Sequence, residues 1–359
     1  MIPLFQPHMP ELPELDRILK SGSLAYGKYT KEFEEKLKAY FGTPFVIVTN
    51  SFNTAISVAI TTLGLSWGDE IIASPMACLA STQPYASSGL TIRWCDVDHM
   101  RGTLDPEDLK KKISSKTKAI VHNHFCGYPG YIDEINAIAN AYGIPVIDDG
   151  IECFGSLYKG KKIGNCGTAV TVFSFTAVRM PNTIDGGAVV FGDRAQYEKS
   201  LLVRDCGIDR ACFRDARGEI NPDCDITDIG YSATMSNVNG YIGCRQMEQV
   251  DRLLEQQRRN GEFLAQWVDA NEKLQRIDAA DTQPNYWIFG LLSNDKQQAI
   301  EDFRSKGLYA SGVHINNNRY SIFQNKAELP GVTDFYGKFL AIPSGWWMDG
   351  AQCGLSSEL

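Results

Sequence analysis

Four short stretches of the sequence carry side chains that could do chemistry. Asp148 and Asp149 close the apolar run IPVIDD at 144–149, and Glu152 follows three residues on. A carboxylate at the mouth of a buried strand needs a cationic or hydrogen-bonding partner, and clustered carboxylates are candidate acids and bases. Ser174 and Arg179 follow the apolar TVF and precede the turn DGG at 185–187. An arginine in that place can bind an anion or neutralise Asp149, so we expect Arg179 within salt-bridging reach of Asp149 or of a bound anion. Asn50, Ser51, Asn53 and Thr54 follow a strand and open a helix, where unpaired backbone N–H groups and the helix dipole favour an anion. Helix capping is the plainer role for those side chains. His122 and His124 are two apart on a strand and share a face, with no third ligand at a recognisable spacing, so no metal site is expected.

These residues need elements to hold them. PFVIVTN (44–50), EIIASP (70–75), TIRWCDVD (91–98), KAIVHNHF (118–125), IPVIDD (144–149), TAVTVFSF (168–175) and GAVVFG (187–192) read as strands. Their apolar runs lack polar interruptions, which suits strands covered on both faces and hence a mainly parallel sheet flanked by helices. Helices are expected through Thr54, Ile56, Ile60 and Leu63, over 104–114 with Asp105 as N-cap and Pro106 at the first helical position, and over 131–143, closed by Gly143. After Met235 one long amphipathic helix is expected to bridge to a smaller domain with a strand over 283–292 and a helix over 294–307. The boundary is placed near residue 250, giving a large domain of 1–250 and a small C-terminal α+β domain of 251–359. In an open α/β sheet ligands bind outside the carboxyl ends of the strands, where the candidates above stand.

Composition narrows the partners. The 359 residues are 43% apolar and 22% charged, with 32 glycines and 15 prolines, a globular composition that excludes disordered and fibrous classes. A net charge of −8 offers no field for nucleic acid or an anionic membrane surface, so a small-molecule ligand is expected instead. The ten cysteines include no C-x-x-C pair, and free thiols in a reducing cytoplasm are expected. The N-terminal stretch has prolines and acids where a signal peptide has a basic segment and an apolar run, which points to a cytoplasmic protein.

The ordered set SFNTAISVAI, DVDHMRGTLDPEDL, IPVIDDGIECFGSLYKGKKIGNCG, FSFTAVRMPNTIDGGAVV, RDCGIDR, DIGYSATMSNVNGYIGCRQMEQVD, VHINNNRYSIF and IPSGWW resembles the DegT/DnrJ/EryC1/StrS family over about residues 20 to 347. The terminal helix usual after the GWW segment is expected to be short here. The resemblance implies the fold type I aminotransferase architecture and pyridoxal-phosphate-dependent amination of nucleotide-linked keto-sugars. It places Asp149 on the residue that pairs with the cofactor's pyridinium nitrogen and Ser174 on a phosphate-binding serine. Asn53, Thr54 and Ser232 fall on further cofactor-contacting positions. It also implies acceptor-sugar contacts by Tyr26, Lys28, Asp209, Arg210, His314, Asn316, Asn317, Asn318 and Arg319, and a homodimer or a heterodimer with a lysine-bearing relative.

The departures from the family pattern matter more. Counting from SF at 174–175 and back from Gly186 puts Arg179 on the lysine that forms the internal aldimine. A Schiff base needs a neutral primary amine, which a guanidinium does not offer. Phe52 and Asn53 replace a small Gly-Thr pair, Leu79 an aromatic residue, Glu152 a glutamine, Ser232 an asparagine and Thr234 an arginine. The expectation is an atypical member with no covalently bound cofactor, with non-covalent pyridoxal or pyridoxamine phosphate as a disfavoured option. Three readings follow: an enzyme without an internal aldimine, using Arg179, Asp149, Glu152, His122 or His124; a non-catalytic partner subunit or ligand sensor; and ordinary transamination through Lys159, Lys161 or Lys162.

Overall fold

The computed structural model describes residues 1–277, 279–323 and 327–349. In chain order the first half runs α1 (Leu15–Lys20), α2 (Lys28–Phe41), β1 (Val46–Thr49), α3 (Phe52–Thr62), β2 (Glu70–Ala73), α4 (Leu79–Ser87), β3 (Thr91–Trp94), α5 (Pro106–Lys112), β4 (Thr117–Asn123), α6 (Ile132–Tyr142) and β5 (Val146–Asp149). A hairpin of β6 (Leu157–Tyr158) and β7 (Lys161–Lys162) precedes β8 (Val170–Ser174), β9 (Gly187–Phe191), α7 (Arg194–Arg204) and α8 (Asn237–Met247). The rest is α9 (Val250–Asp269), β10 (Leu274–Arg276), β11 (Thr282–Gln283), β12 (Phe289–Ser293), α10 (Lys296–Ser305), α11 (Pro330–Lys338) and β13 (Phe339–Ile342).

All seven strands expected in the first 192 residues join one sheet in the order β1-β9-β8-β5-β4-β2-β3. The pairs among β3, β2, β4, β5 and β8 are parallel, whereas β9 runs antiparallel to both its neighbours. No helix lies between β8 and β9, so the chain turns back on itself rather than crossing over. The strands are apolar throughout because each face has a cover. Val46 and Val48 pack with Phe33, Leu37 and Phe41 of α2, while Ile47 faces Ile56 and Ala59 of α3. Ile72, Ile120 and Val146 meet Leu109 of α5 and Ile135 and Ile138 of α6.

Local chemistry sets the helix ends. Ser51 caps α3 by accepting from Thr54 N, and Thr54 Oγ1 accepts from Ser51 N. Asp105 caps α5 with Pro106 at its first position, and Gly143 ends α6 with a left-handed φ of 66°. The single long helix expected after Met235 is broken at Glu248–Gln249, so α8 and α9 take separate roles. A Cβ on Gly240 or Gly243 of α8 would lie 2.6 Å from Thr30 Cα or 2.7 Å from the Phe33 ring, so those glycines are what let α2 lie against α8. Residue 250 falls just past this break.

The second sheet is β10-β12-β13, antiparallel, with every residue of β12 buried. The one strand expected over 283–292 is split in two. Pro284 has no N–H for a ladder and Tyr286 sits at φ 50°, so β11 pairs with β6 and the chain turns before β12 begins. Ile2 bridges Leu308 and Trp347 Nε1 donates to Pro3 O, which ties the N-terminus to this second unit.

One expectation about thiols is corrected. Cys212 and Cys224 form a disulfide, their Cα atoms 5.7 Å apart. A turn from Asp215 to Glu219, flanked by the Arg214–Ile220 bridge, folds the segment back so that two cysteines 12 apart meet. The other seven cysteines among the described residues are free thiols. No helix among these residues is long and apolar enough to cross a membrane.

Candidate functional site

The site forms where β4, β5 and β8 end, at Asn123, Asp149 and Ser174. Asp149 Oδ2 accepts from Asn123 Nδ2 at 2.8 Å and Oδ1 from Ile151 N at 3.1 Å. Burial raises its carboxyl above the usual carboxylate range, against the opposing effect of Ser81 and Asn123.

Glu152, in the turn after β5, gathers three segments. Its Oε2 accepts from Cys126 N at 2.8 Å, and its Oε1 lies 3.3 Å from Arg179 Nη2 and 2.8 Å from His314 Nε2. Burial acting alone would raise this carboxyl, but His314 and Arg179 outweigh it and hold it below its ordinary value. Arg179 is 8% exposed, its Cζ 4.1 Å from the Trp287 ring centroid. Trp287 Nε1 donates to Val178 O at 2.9 Å. The expected partner of Arg179 was Asp149 or a bound anion; its partner is Glu152. Asp149 already has two donors, and Trp287 lays the guanidinium along the Glu152 side. The space left among Ile151, Glu152, Ser174, Arg179 and Trp287 is about 10 Å³, room for a single water.

The phosphate-type positions are partly spent. Thr54 N is taken by Ser51 Oγ and Thr54 Oγ1 donates to Asn50 Oδ1 at 2.7 Å, so the plainer capping role describes Ser51 and Thr54. Ser174 Oγ lies 3.1 Å from Thr176 Oγ1. Asn53 is exposed in the first turn of α3, and exposed Ser232 offers its carbonyl to Asn50 Nδ2 at 3.0 Å.

Among the described residues the polar contacts of Asp149, Glu152 and Ser174 involve no lysine. Asp149 suits a protonated ring nitrogen, while the cation beside Glu152 is a guanidinium, which offers no neutral primary amine for a covalent tether to pyridoxal phosphate. Lys159 is paired with Asp133 at 2.6 Å, and Lys162 lies over the Tyr40 ring at 3.6 Å and donates to Tyr40 O. They sit on the β6–β7 hairpin with Lys161, engaged away from Asp149.

His124 is corrected as a candidate acid or base. Successive residues of a strand point to opposite faces, so Asp148 and His122, in register on neighbouring strands, lie across the sheet from Asp149. His122 Nδ1 and His124 Nε2 stand 3.3 and 3.5 Å from Asp148 Oδ1, all three side chains at most 1% exposed. A substrate cannot reach them. Asp148 supplies the third group that spacing did not reveal. Gly130 N, however, donates to His124 Nδ1, which leaves the proton on Nε2, aimed at Asp148 rather than free for a metal bond. A Cβ on Gly130 would lie 2.3 Å from His122 Nε2.

The expected sugar contacts divide. His314 is part of the site. Asn316 donates to Asn318 at 2.6 Å, Arg319 is exposed, and Asn317 is buried, bonded to Ala77 O and Thr82 Oγ1, so it fastens its loop to the large sheet's helices. Tyr26, Asp209 and Arg210 line a separate cavity of about 880 Å³ with Lys31, Arg204 and Asp205. There Arg210 forks onto Asp205 at 2.6 Å and Tyr26 donates to Glu34. Lys28 is exposed and lies over the Tyr29 ring. Sequence reasoning missed Asn285, whose Nδ2 donates to Glu152 O and Phe154 O, and Trp287. Pro284 beside Asn285 was the available signal of a turn.

A model of the DegT/DnrJ/EryC1/StrS aminotransferase family matches residues 8–353. The chain is 28% identical to the GDP-perosamine synthase of Escherichia coli O157:H7, over 84% of this chain and 80% of that protein. It is 27% identical to the UDP-4-amino-4,6-dideoxy-N-acetyl-beta-L-altrosamine transaminase of Campylobacter jejuni, over 93% and 89%. The sugar aminotransferase CalS13 from Micromonospora echinospora superposes with a TM-score of 0.92 at 28% identity, covering 99% and 98% of the two chains.

Proposed function

Because the chain belongs to the DegT/DnrJ/EryC1/StrS aminotransferase family, we propose that it is a nucleotide-sugar-binding member that works without an internal aldimine, Arg179 standing in place of the lysine. The observation that carries this reading is the buried ion pair of Arg179 with Glu152, stacked on Trp287. A guanidinium delocalises its lone pairs and cannot condense with an aldehyde. The relatives named for a GDP-linked and a UDP-linked sugar support a nucleoside-diphosphate sugar as the ligand class.

A second reading, a ligand sensor or a partner subunit, is favoured by one feature. Glu152 is held by three donors and Asp149 by two, and His122 and His124 have no solvent access, so each acid or base named from the sequence is engaged or enclosed.

The test is incubation of the purified protein with pyridoxal phosphate, borohydride reduction and mass analysis, beside calorimetry with UDP- and GDP-linked sugars. The expected result is no covalent adduct and saturable sugar-nucleotide binding. A reduced adduct on Lys159, Lys161 or Lys162 defeats the proposal, and turnover of the bound sugar separates the enzyme from the sensor.

A further inference from the structure

Cys126, Glu152 and His314 come from three separate segments. Each brings one ligating atom, a thiol sulfur, a carboxylate oxygen and a ring nitrogen, to within 4.8 Å of the other two. Cys126 and Glu152 are buried and Cys126 is a free thiol, while His314 keeps 18% of its side chain exposed and so gives an ion a way in. Both loops that deliver the outer pair are strained. Cys126 has φ 56°, and Val313, the neighbour of His314, has φ 59°. Left-handed backbone is uncommon for a residue with a side chain and a genuine outlier for β-branched valine, and such strain gathers at ligand sites. Cys126 N also donates to Glu152 Oε2 at 2.8 Å, which ties the thiol-bearing loop to the carboxylate.

We propose that Cys126, Glu152 and His314 form a zinc site, with water in the fourth position. Sulfur, imidazole nitrogen and carboxylate oxygen together select zinc among the common divalent ions, because magnesium and calcium take oxygen donors. Zinc bonds of about 2.0–2.3 Å in a tetrahedron set the donor atoms about 3.3–3.6 Å apart. The three atoms reach that spacing by closing at most about 1.5 Å, while His314 Nε2 and Glu152 Oε1, now 2.8 Å apart, open slightly. The Cys126 thiol gives its proton to solvent as the zinc–sulfur bond forms, and neutral His314 supplies the Nε2 lone pair with its own proton on Nδ1. Thiolate and carboxylate neutralise the ion, so Arg179, 3.3 Å from Glu152 Oε1, meets a centre without net charge rather than a bare dication. It still donates to the carboxylate, as outer partners of metal-bound carboxylates do.

The experiment strips the full chain with a chelator and titrates it with Co²⁺, a tetrahedral substitute for Zn²⁺ whose bond to a thiolate gives an ultraviolet charge-transfer band. The native protein is expected to show that band with the visible bands of a tetrahedral ion, saturating at one ion per chain and disappearing when Zn²⁺ is added. Cys126→Ser loses the charge-transfer band. His314→Gln, at a partly exposed position, keeps the band but binds roughly tenfold or more weakly. Cys206→Ser, which removes an exposed thiol outside the site, binds as the native protein does. No charge-transfer band in the native protein overturns the inference, and so does a band that survives Cys126→Ser or is lost in Cys206→Ser. An affinity that His314→Gln leaves unchanged also overturns it, a result available even where Cys126→Ser does not fold. None of these results bears on borohydride adducts or on sugar-nucleotide calorimetry, so the zinc site and the aldimine-free reading fail separately.

Discussion

Asp148 and Asp149 are adjacent in β5 and buried to the same degree, at 1% exposure each, yet the two faces of the sheet give them opposite character. On one face Asp148 meets two imidazoles, and His124 and His122 overcome the effect of burial to hold its carboxyl well below the usual carboxylate range. On the other face Asp149 meets an amide and a backbone N–H, and burial wins, raising its carboxyl. Burial penalises the charged form in both places; the number and kind of neighbouring groups decide the outcome. The first face is a closed structural cluster and the second opens toward the cleft.

The largest effect follows from deleting the carboxylate of the closed face. Asp148→Ala removes the carboxylate that faces the two buried imidazoles at 3.3 and 3.5 Å and opens a cavity among them, so a loss of about 1–3 kcal/mol is expected. Urea denaturation at neutral pH reads it, and a loss below about 1 kcal/mol would show that the histidines do not depend on Asp148.

A smaller effect comes from protonating the same cluster. Burial lowers the His122 pKa despite Asp148. Its folded value lies below the unfolded one, so the unfolded chain binds more protons as pH falls beneath about 6.5, and stability is full above that pH and lost below it. The expected slope is at most about 1.4 kcal/mol per pH unit for one proton. His8 is lowered too, chiefly by burial, and contributes in the same direction. Melting temperatures from pH 7.5 down to 5 should therefore fall more steeply for the native protein than for His122→Gln, in which His8 leaves a residual slope. Parallel curves would remove His122 from the account.

How much of this was legible depends on which forces act locally. The seven strands of the large sheet could be read because each apolar run is its own signal, and Asp105, Pro106 and Gly143 mark helix ends by backbone chemistry alone. The partner of Arg179 could not be read. It is chosen by Trp287 and His314, more than a hundred residues away, and by the donors already spent on Asp149. The fully buried His122–His124–Asp148 cluster was half legible. The i, i+2 spacing showed the histidines, whereas Asp148 joins them only through the parallel register of β4 and β5. The Cys212–Cys224 pair likewise depends on a turn that no cysteine spacing announces. Residues that need only their neighbours are readable, and residues that need the fold are not.

The smallest effect is the sharpest comparison. A raised carboxyl pKa means that the folded state favours the protonated form, so Asp149 contributes stability below its unfolded value that is lost as pH rises through the folded one. Asp149→Asn removes that loss at neutral pH. Asn123 Oδ1 has no hydrogen-bond partner, and rotating the Asn123 amide lets it accept from the new side-chain N–H, while the carbonyl oxygen of the substituted residue keeps Ile151 N. The expected outcome is a gain of up to about 1 kcal/mol at neutral pH that disappears near pH 4, whereas Asp148→Asn, which removes the anion beside two imidazole rings, is destabilising. Denaturation curves of the two variants that move in the same direction at neutral pH would mean the faces do not differ as described, and that Asp149 is stabilised as an anion by something other than Asn123 and Ile151.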